Sequence, residues 1–283
     1  MAQNDTQSSA KPLLPDSVKH ALARVSSRFR DNVSANRALL RQRRVSRPAM
    51  PRVRGWRYLL IVGVVVIMTA VVLDMPVGAY RTQWPPEVMH WAARLTDIGK
   101  SGWILTPTGI LLIVGYALNW QWFSSRTRLA LAKAMSACAY IFLSVGVSGL
   151  IATILKRVIG RARPVHFEDA GAFSFHPFSD ASYASFPSGH STTAGALFAA
   201  VAIFFPALRI PALLLAIWLG FTRVLVGAHY PSDVIAGLAF GAWYAYFSAL
   251  VFARYGFIFT YDAKGWPVPR RGVALVRLWR RRA

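Results

Sequence analysis

Three cations, two histidines and one carboxylate recur at the margins of otherwise uncharged apolar stretches: Lys156, Arg163 and Arg223, His190 and His229, and Asp233. Ionisable groups are costly in an apolar setting, so they mark function there. A phosphate monoester needs several donors around its equatorial oxygens; Arg supplies a planar fork and Lys a point charge. Pro164 stops any helix and fixes the direction in which Arg163 departs. In Pro187-Ser188-Gly189-His190, small residues at a helix start leave outward N–H groups that suit an anion. Ser188 adds a hydroxyl donor, Gly189 admits a close oxygen, and the amides of both are expected on a phosphoryl group. An imidazole at the position of His190 could donate a proton to a departing oxygen. Pro231 suits the first position of a helix, which puts Asp233 in its first turn and within reach of His229. That contact would fix the imidazole tautomer and free the other ring nitrogen, making His229 a candidate covalent phosphoryl acceptor.

The same residue types allow plainer readings. Cations at the end of a membrane span are commonly interfacial anchors, and Arg157 and Arg161 are read that way. Lys156 and Arg163 differ because they lie on the face expected to be poor in positive charge. Ser188 alone would be an ordinary helix N-cap. A His with an Asp four residues on could be structural or half of a metal site. The acids Glu168, Asp169 and Asp180 lack helical ligand spacing, so no metal and no cofactor is expected.

Apolar elements must hold these groups. Hydrophobic residues make up 55% of the 283, yet the formal charge is +22. The two coexist because basic residues gather at 1–57 and 254–283. Six apolar segments, 58–73, 103–120, 134–155, 191–205, 210–222 and 234–253, predict an all-α polytopic membrane protein with about six transmembrane helices. The first reaches spanning length only by continuing past Asp74 towards Tyr80. The fourth and fifth are short until the motif residues at their ends are counted, and a re-entrant hairpin is the alternative for that pair. No charge is expected inside the spans away from their ends. Lone Cys138 excludes a disulfide within one chain and a Cys-based metal site. Arginine supplies 27 of the 33 basic residues, a bias of GC-rich bacterial genomes.

If residues 1–57 are cytoplasmic, 25 of the 33 basic residues fall on the inner side and eight on the outer. Both termini are then inside, and the motif residues lie at the outer ends of spans three to six, where they can converge. The arm is too long for the basic region of a cleaved signal peptide and should precede an uncleaved anchor. Within it Val18, Leu22, Val25, Phe29 and Val33 fall at helical spacing behind Asp16. A basic amphipathic helix on an anionic cytoplasmic leaflet fits that pattern, as does a disordered basic tail. Nothing beyond charge supports nucleic-acid binding. Three regions result: a basic arm 1–57, a six-span unit 58–253 and a basic tail 254–283.

The pattern Lys-x6-Arg-Pro, Pro-Ser-Gly-His and Arg-x5-His-x3-Asp resembles the type 2 phosphatidic acid phosphatase superfamily, which includes soluble acid phosphatases and vanadium haloperoxidases. The resemblance covers roughly 97–253. It implies that His229 is the nucleophile, oriented by Asp233, and that His190 protonates the leaving group. It further implies that Lys156, Arg163, Ser188, Gly189 and Arg223 hold the phosphate without a metal. Position alone only weakly favours that division between the two histidines. Thr222 stands where the family usually has Ser, which keeps the hydroxyl. Asp97, Gly99 and Ser101 faintly match a stretch that often precedes the second span. Gly237-x3-Gly241 reads as close helix packing.

The expected protein is a bacterial inner-membrane lipid phosphatase that works through a phosphohistidine, with its site facing the periplasm. Phosphatidic acid, phosphatidylglycerol phosphate, polyprenyl pyrophosphate and the phosphates of lipid A all fit the chemistry. A lipid phosphotransferase on the same scaffold is the nearest alternative. A transporter or scaffold would want internal repeats or charge near mid-membrane, and neither is expected. The segment between Pro164 and Pro187, rich in Phe, His and Tyr, should shape the entrance.

Overall fold

A computed structural model describes residues 15–46 and 55–270. The remainder of the arm and of the tail named above lies outside those residues. Ten helices in chain order are α1 (Asp16–Ser46), α2 (Gly55–Thr69), α3 (Met75–Tyr80), α4 (Pro86–Thr96), α5 (Gly102–Ala117), α6 (Ser125–Ile159), α7 (Phe167–Ala170), α8 (Gly189–Phe204), α9 (Arg209–Leu225) and α10 (Pro231–Tyr255). A two-stranded antiparallel sheet, β1 (Phe259–Tyr261) and β2 (Pro267–Pro269), follows α10.

Five helical runs are long and apolar enough to cross a membrane: Trp56–Gln83, Pro86–Ala117, Ser125–Ile159, Pro206–Leu225 and Pro231–Tyr255. Helix α8, predicted as the fourth span, is apolar but has only 16 residues. At 1.5 Å per residue it rises about 24 Å, less than the roughly 30 Å of a hydrocarbon core. The first run continues past Asp74 as expected, and it does so through a π-helical turn, Ala70–Asp74, joining α2 to α3. π-Turns of this kind are frequent at functional sites.

The side chains are distributed as in a membrane bundle. Large aliphatics point outward: Ile67, Val71, Ile113 and Leu214 are each more than 60% exposed. The interior is built from small residues, including Ala194, Ala196, Ala200, Ala245 and Ala249, with Ser and Thr among them. Lipid tails are as apolar as Leu, so close van der Waals packing takes over from hydrophobic burial between the helices. The interface of α8 with α10 shows this most clearly. A Cβ on Gly237 would come within 2.5 Å of the Ser188 carbonyl, and one on Gly241 would collide with the Thr192 carbonyl. The predicted role of that glycine pair in packing is therefore observed directly.

At the end of α10 away from Pro231, the sheet closes the bundle. Ile258 and Phe259 are fully buried, and Tyr140 meets Phe204, Phe252 and Phe259 edge-on at 5.4, 5.6 and 4.9 Å. The predicted amphipathic segment is helical and docks at this same end as α1. Asn32 Nδ2 donates to Tyr116 O and Leu118 O at 2.7 and 3.1 Å, and Arg43 Nη1 donates to Tyr255 O at 2.9 Å.

Candidate active site

The motif residues gather at the opposite end, where α6 and α9 finish and α8 and α10 begin. Lys156 lies in the last turn of α6, which ends at Gly160 with φ +64°. That left-handed conformation suits glycine, and a Cβ there would strike the backbone of His176. The chain then runs against residues 174–185. Ala162 N–H donates to Ser174 O at 2.9 Å, Arg163 N–H to Ser182 O at 2.9 Å, and Ser185 N–H to Arg161 O at 3.0 Å. Arg163 is thereby held from both sides, and its Nε is buried with no partner among the described residues.

Ser188 is the N-cap of α8 and fully buried. Its Oγ accepts from the Ser191 hydroxyl at 2.9 Å and from Ser191 N–H at 3.4 Å. Its N–H donates to Asp233 O at 3.0 Å. The expectation that the Ser188 amide holds the phosphoryl group is therefore corrected: that donor ties α8 to α10. The amides left at the helix start are those of Gly189 and His190, which have no carbonyl of their own helix to meet. A Cβ on Gly189 would sit 4.0 Å from Lys156 Nζ, so the ammonium lies beside this helix start. His190, half-buried, rests on Gly99, where a Cβ would be 3.2 Å from the His190 Cβ. The faint motif match at Gly99 thus has a steric account.

Arg223 closes α9. Its Nη1 donates to Thr96 Oγ1 at 2.8 Å, while its Nε is buried with no partner among the described residues. The neighbouring Thr222 hydroxyl donates to Leu219 O at 2.7 Å within its own helix. Beyond α9 the backbone turns at Gly227, φ +64°, and the N–H groups of Ala228 and His229 return to Arg223 O at 3.1 and 3.3 Å. This turn presents Arg223 and His229 together.

His229 is 4% exposed. Its Nδ1 lies 3.7 Å from Asp233 Oδ2, a contact looser than a hydrogen bond. Catalytic contacts are often loose before substrate binds. Ser185 Oγ fills the gap, donating to Asp233 Oδ2 at 2.6 Å and lying 3.5 Å from His229 Nδ1. Tyr230 N–H also donates to Asp233 Oδ2, at 2.9 Å, as the predicted Pro231 start of α10 requires. Burial pushes the His229 imidazole below its usual value, and the carboxylate of Asp233 pulls it back up.

Two sequence expectations fail here. Arg161 is no interfacial anchor: it is 3% exposed and paired with both Asp74 and Asp233. Nor are the spans free of internal charge, because Asp74 lies within the first run and is fully buried. A lone Asp in an apolar run demands a cationic partner, and that was the available signal. Ser185, Ser232 and Thr96, which complete the site's hydrogen bonds, carry no sequence signal of their own.

Chemically, the arrangement is an anion site beside an imidazole. Lys156, Arg163 and Arg223 are close enough to interact electrostatically, and the Nε atoms of the two arginines are buried with no partner among the described residues. Among the described residues no three His, Cys, Asp or Glu side chains come together as a metal-ligand set.

Comparison with known proteins places the chain in a family. Residues 137–256 match the family model of the PAP2 superfamily. The chain is 46% identical over 235 residues to a lipid A 1-phosphatase of Rhizobium johnstonii, covering 83% of this chain and 96% of that one. It is 31% identical over 149 residues to a decaprenylphosphoryl-5-phosphoribose phosphatase of Mycobacterium tuberculosis, covering 51% and 78% of the two chains. The crystal structure of a transmembrane PAP2-type phosphatidylglycerolphosphate phosphatase from Bacillus subtilis superposes with a TM-score of 0.46 at 22% identity, over 67% of this chain and 92% of that one. With 46% identity across nearly the full length of the Rhizobium protein, this multi-pass membrane chain belongs to the PAP2 superfamily.

Proposed function

We propose that this lipid phosphatase removes the phosphate at the 1 position of lipid A. The observation that carries the choice of lipid is the 46% identity across 96% of the Rhizobium lipid A 1-phosphatase. The site supplies the chemistry. Lys156, Arg163, Arg223 and the amides at the start of α8, with Gly189 admitting the close approach, hold the phosphoryl oxygens. Ser188 fixes that helix start. His229 Nε2 attacks phosphorus as the bond to the lipid oxygen breaks, and His190 gives that oxygen a proton. Water then attacks the phosphohistidine, its proton passes to His190, and the P–N bond breaks to release phosphate and restore His229. Asp233 faces Nδ1 throughout and stabilises the charged ring. No step calls for a metal or cofactor.

The charge distribution supports a position in the inner membrane with both termini cytoplasmic and the site facing the periplasm. Helix α1 docks at the bundle end away from the motif residues, which fits a basic helix lying on the anionic cytoplasmic leaflet.

The test is phosphate release by the purified full-length chain in detergent from lipid A, phosphatidylglycerol phosphate, decaprenyl diphosphate and phosphatidic acid, with mass spectrometry of the lipid A product. Loss of the 1-phosphate at the highest kcat/KM of the panel is expected. Release from the other lipids but not from lipid A would overturn the assignment.

A further inference from the structure

Arg161 lies between two residues of the anion site, yet all its nitrogens are engaged elsewhere. Its Nη1 donates to Asp233 Oδ1 at 2.6 Å and to Ser232 Oγ at 2.8 Å. Its Nη2 donates to Asp74 Oδ2 at 2.8 Å and to Ala172 O at 2.9 Å, and its Nε to Ala172 O at 3.0 Å. The guanidinium also lies 4.4 Å over the Tyr230 ring, immediately after His229. Asp74 is held in turn: Oδ1 accepts from Ser232 N–H at 3.1 Å, and Oδ2 accepts from the Ser232 hydroxyl.

The result is a buried line of charges, Asp74, Arg161, Asp233 and then His229. Buried ion clusters are weak devices for stability, since an apolar replacement often does as well. Their use here follows from geometry. Arg161 occupies Oδ1 of Asp233, which leaves Oδ2 as the oxygen facing His229 Nδ1. Asp74 comes from the first membrane helix, outside the 137–256 segment that matches the family model.

We propose that Arg161, anchored by Asp74, is a positioning residue that keeps Asp233 ionised and aimed at His229, so that Nδ1 carries the proton and Nε2 is free to attack. The proposal rests on the phosphohistidine reading above. It makes the first membrane helix part of the catalytic geometry, through a carboxylate that touches no substrate.

The charged groups facing His229 are Asp233 from its own turn, Arg163 from the loop after α6, Arg223 from α9 and His190 from α8, with Arg161 on the far oxygen of Asp233. Asp74 lies behind Arg161, Lys156 beside Arg163, and Asp97 and Lys100 beyond His190. Replacing Arg161 by an apolar residue takes a cation away from the Asp233–His229 pair, which then binds an added proton more tightly, while Arg163 and Arg223 stay in place. The imidazole then holds its proton to higher pH, and the acid limb of kcat/KM moves up.

The experiment compares Arg161→Met, Arg161→Lys, Asp74→Asn and the double variant Asp74→Asn with Arg161→Met, in the full-length chain in detergent. The substrate is whichever lipid of the panel the wild type hydrolyses best. For Arg161→Met we expect kcat to fall by about 100-fold with KM changed by less than about threefold. Its acid limb should rise by about one pH unit. Arg161→Lys, which keeps the charge and loses the fork, should keep the wild-type limb with a loss of about 10-fold. The double variant, which restores the charge balance, should bring the limb back. A wild-type rate and limb in Arg161→Met would overturn the proposal. So would equal losses in Arg161→Met and Arg161→Lys with the limb unmoved, which is the pattern of a merely structural residue. Histidine 15N NMR, assigned with His229→Gln, reads the tautomer without turnover. If the wild type released phosphate from no lipid, the functional reading would fall, while loss of the Nδ1–H form in Arg161→Met would still decide this one.

Discussion

At the scale of single residues, the two histidines were legible because Gly189 and Pro231 announce helix starts beside them. Arg161 was misread because an arginine at a span end looks alike whether it faces water or a buried carboxylate. Only the π-turn that carries Asp74 inward separates the two cases, and no periodicity in 70–74 announces it. The environment of His229 leads to a pH prediction. Burial lowers the proton affinity of its ring, so the neutral, nucleophilic form persists below the pH at which a free histidine protonates. The acid limb of kcat/KM should therefore lie below about 6.5. An acid limb above that value in a pH–rate profile would contradict the burial seen here. His229→Ala should lose at least about 10³-fold in kcat while still inserting into membranes, and EDTA should leave the wild-type rate unchanged. Substantial turnover by that variant would remove His229 from the mechanism.

At the scale of elements, the apolar runs gave the six helices to within a few residues at most ends. The last two begin and end close to the predicted 210–222 and 234–253 once their motif residues are added. Helix α4 and the sheet after α10 were not predicted as elements, because short amphipathic and strand segments carry weak signals. The spacing of Gly237 and Gly241 made α10 readable as a packing helix, but not which helix it meets. The partner glycine, Gly195 of α8, stands alone, and a Cβ there would strike the Leu238 carbonyl. Because Ser188 and Thr192 supply the carbonyls that meet α10, this contact also sets where the α8 N-terminus sits. Gly241→Ala should therefore cost roughly 1–3 kcal/mol and reduce kcat/KM as well, since the backbone that must yield is continuous with the anion site. Gly63→Ala, with nothing within 4 Å of its Cβ, should change neither. Thermal unfolding in detergent with parallel assays checks the pair, and indistinguishable melting of the two variants would argue against the close contact.

At the scale of the whole molecule, the two ends of the bundle differ in kind. One carries the motif residues and the loop with Phe173, Phe175 and Phe178 exposed; the other carries α1, the α5–α6 connection and the sheet. The charge count that predicts which end faces the cytoplasm uses the sequence alone, and its expected split, 25 of 33 basic residues inside, is a large bias. The helix ends then set the faces of all other loops, because an odd number of crossings separates Phe178 from Trp122. Both side chains are well exposed, at 75% and 76%, so each is a fair probe. In a Cys138→Ser background, a membrane-impermeant thiol reagent should label Phe178→Cys in intact spheroplasts. It should label Trp122→Cys only after the membrane is opened. Cys138 itself lies half-buried within α6, and its removal should leave phosphate release unchanged. The reverse labelling pattern would place the site in the cytoplasm and would require the lipid substrate to be met on the inner leaflet. Labelling of both positions from outside would mean that α6 does not cross, against the placement of the α5–α6 connection and of the motif residues at opposite ends of that 35-residue helix.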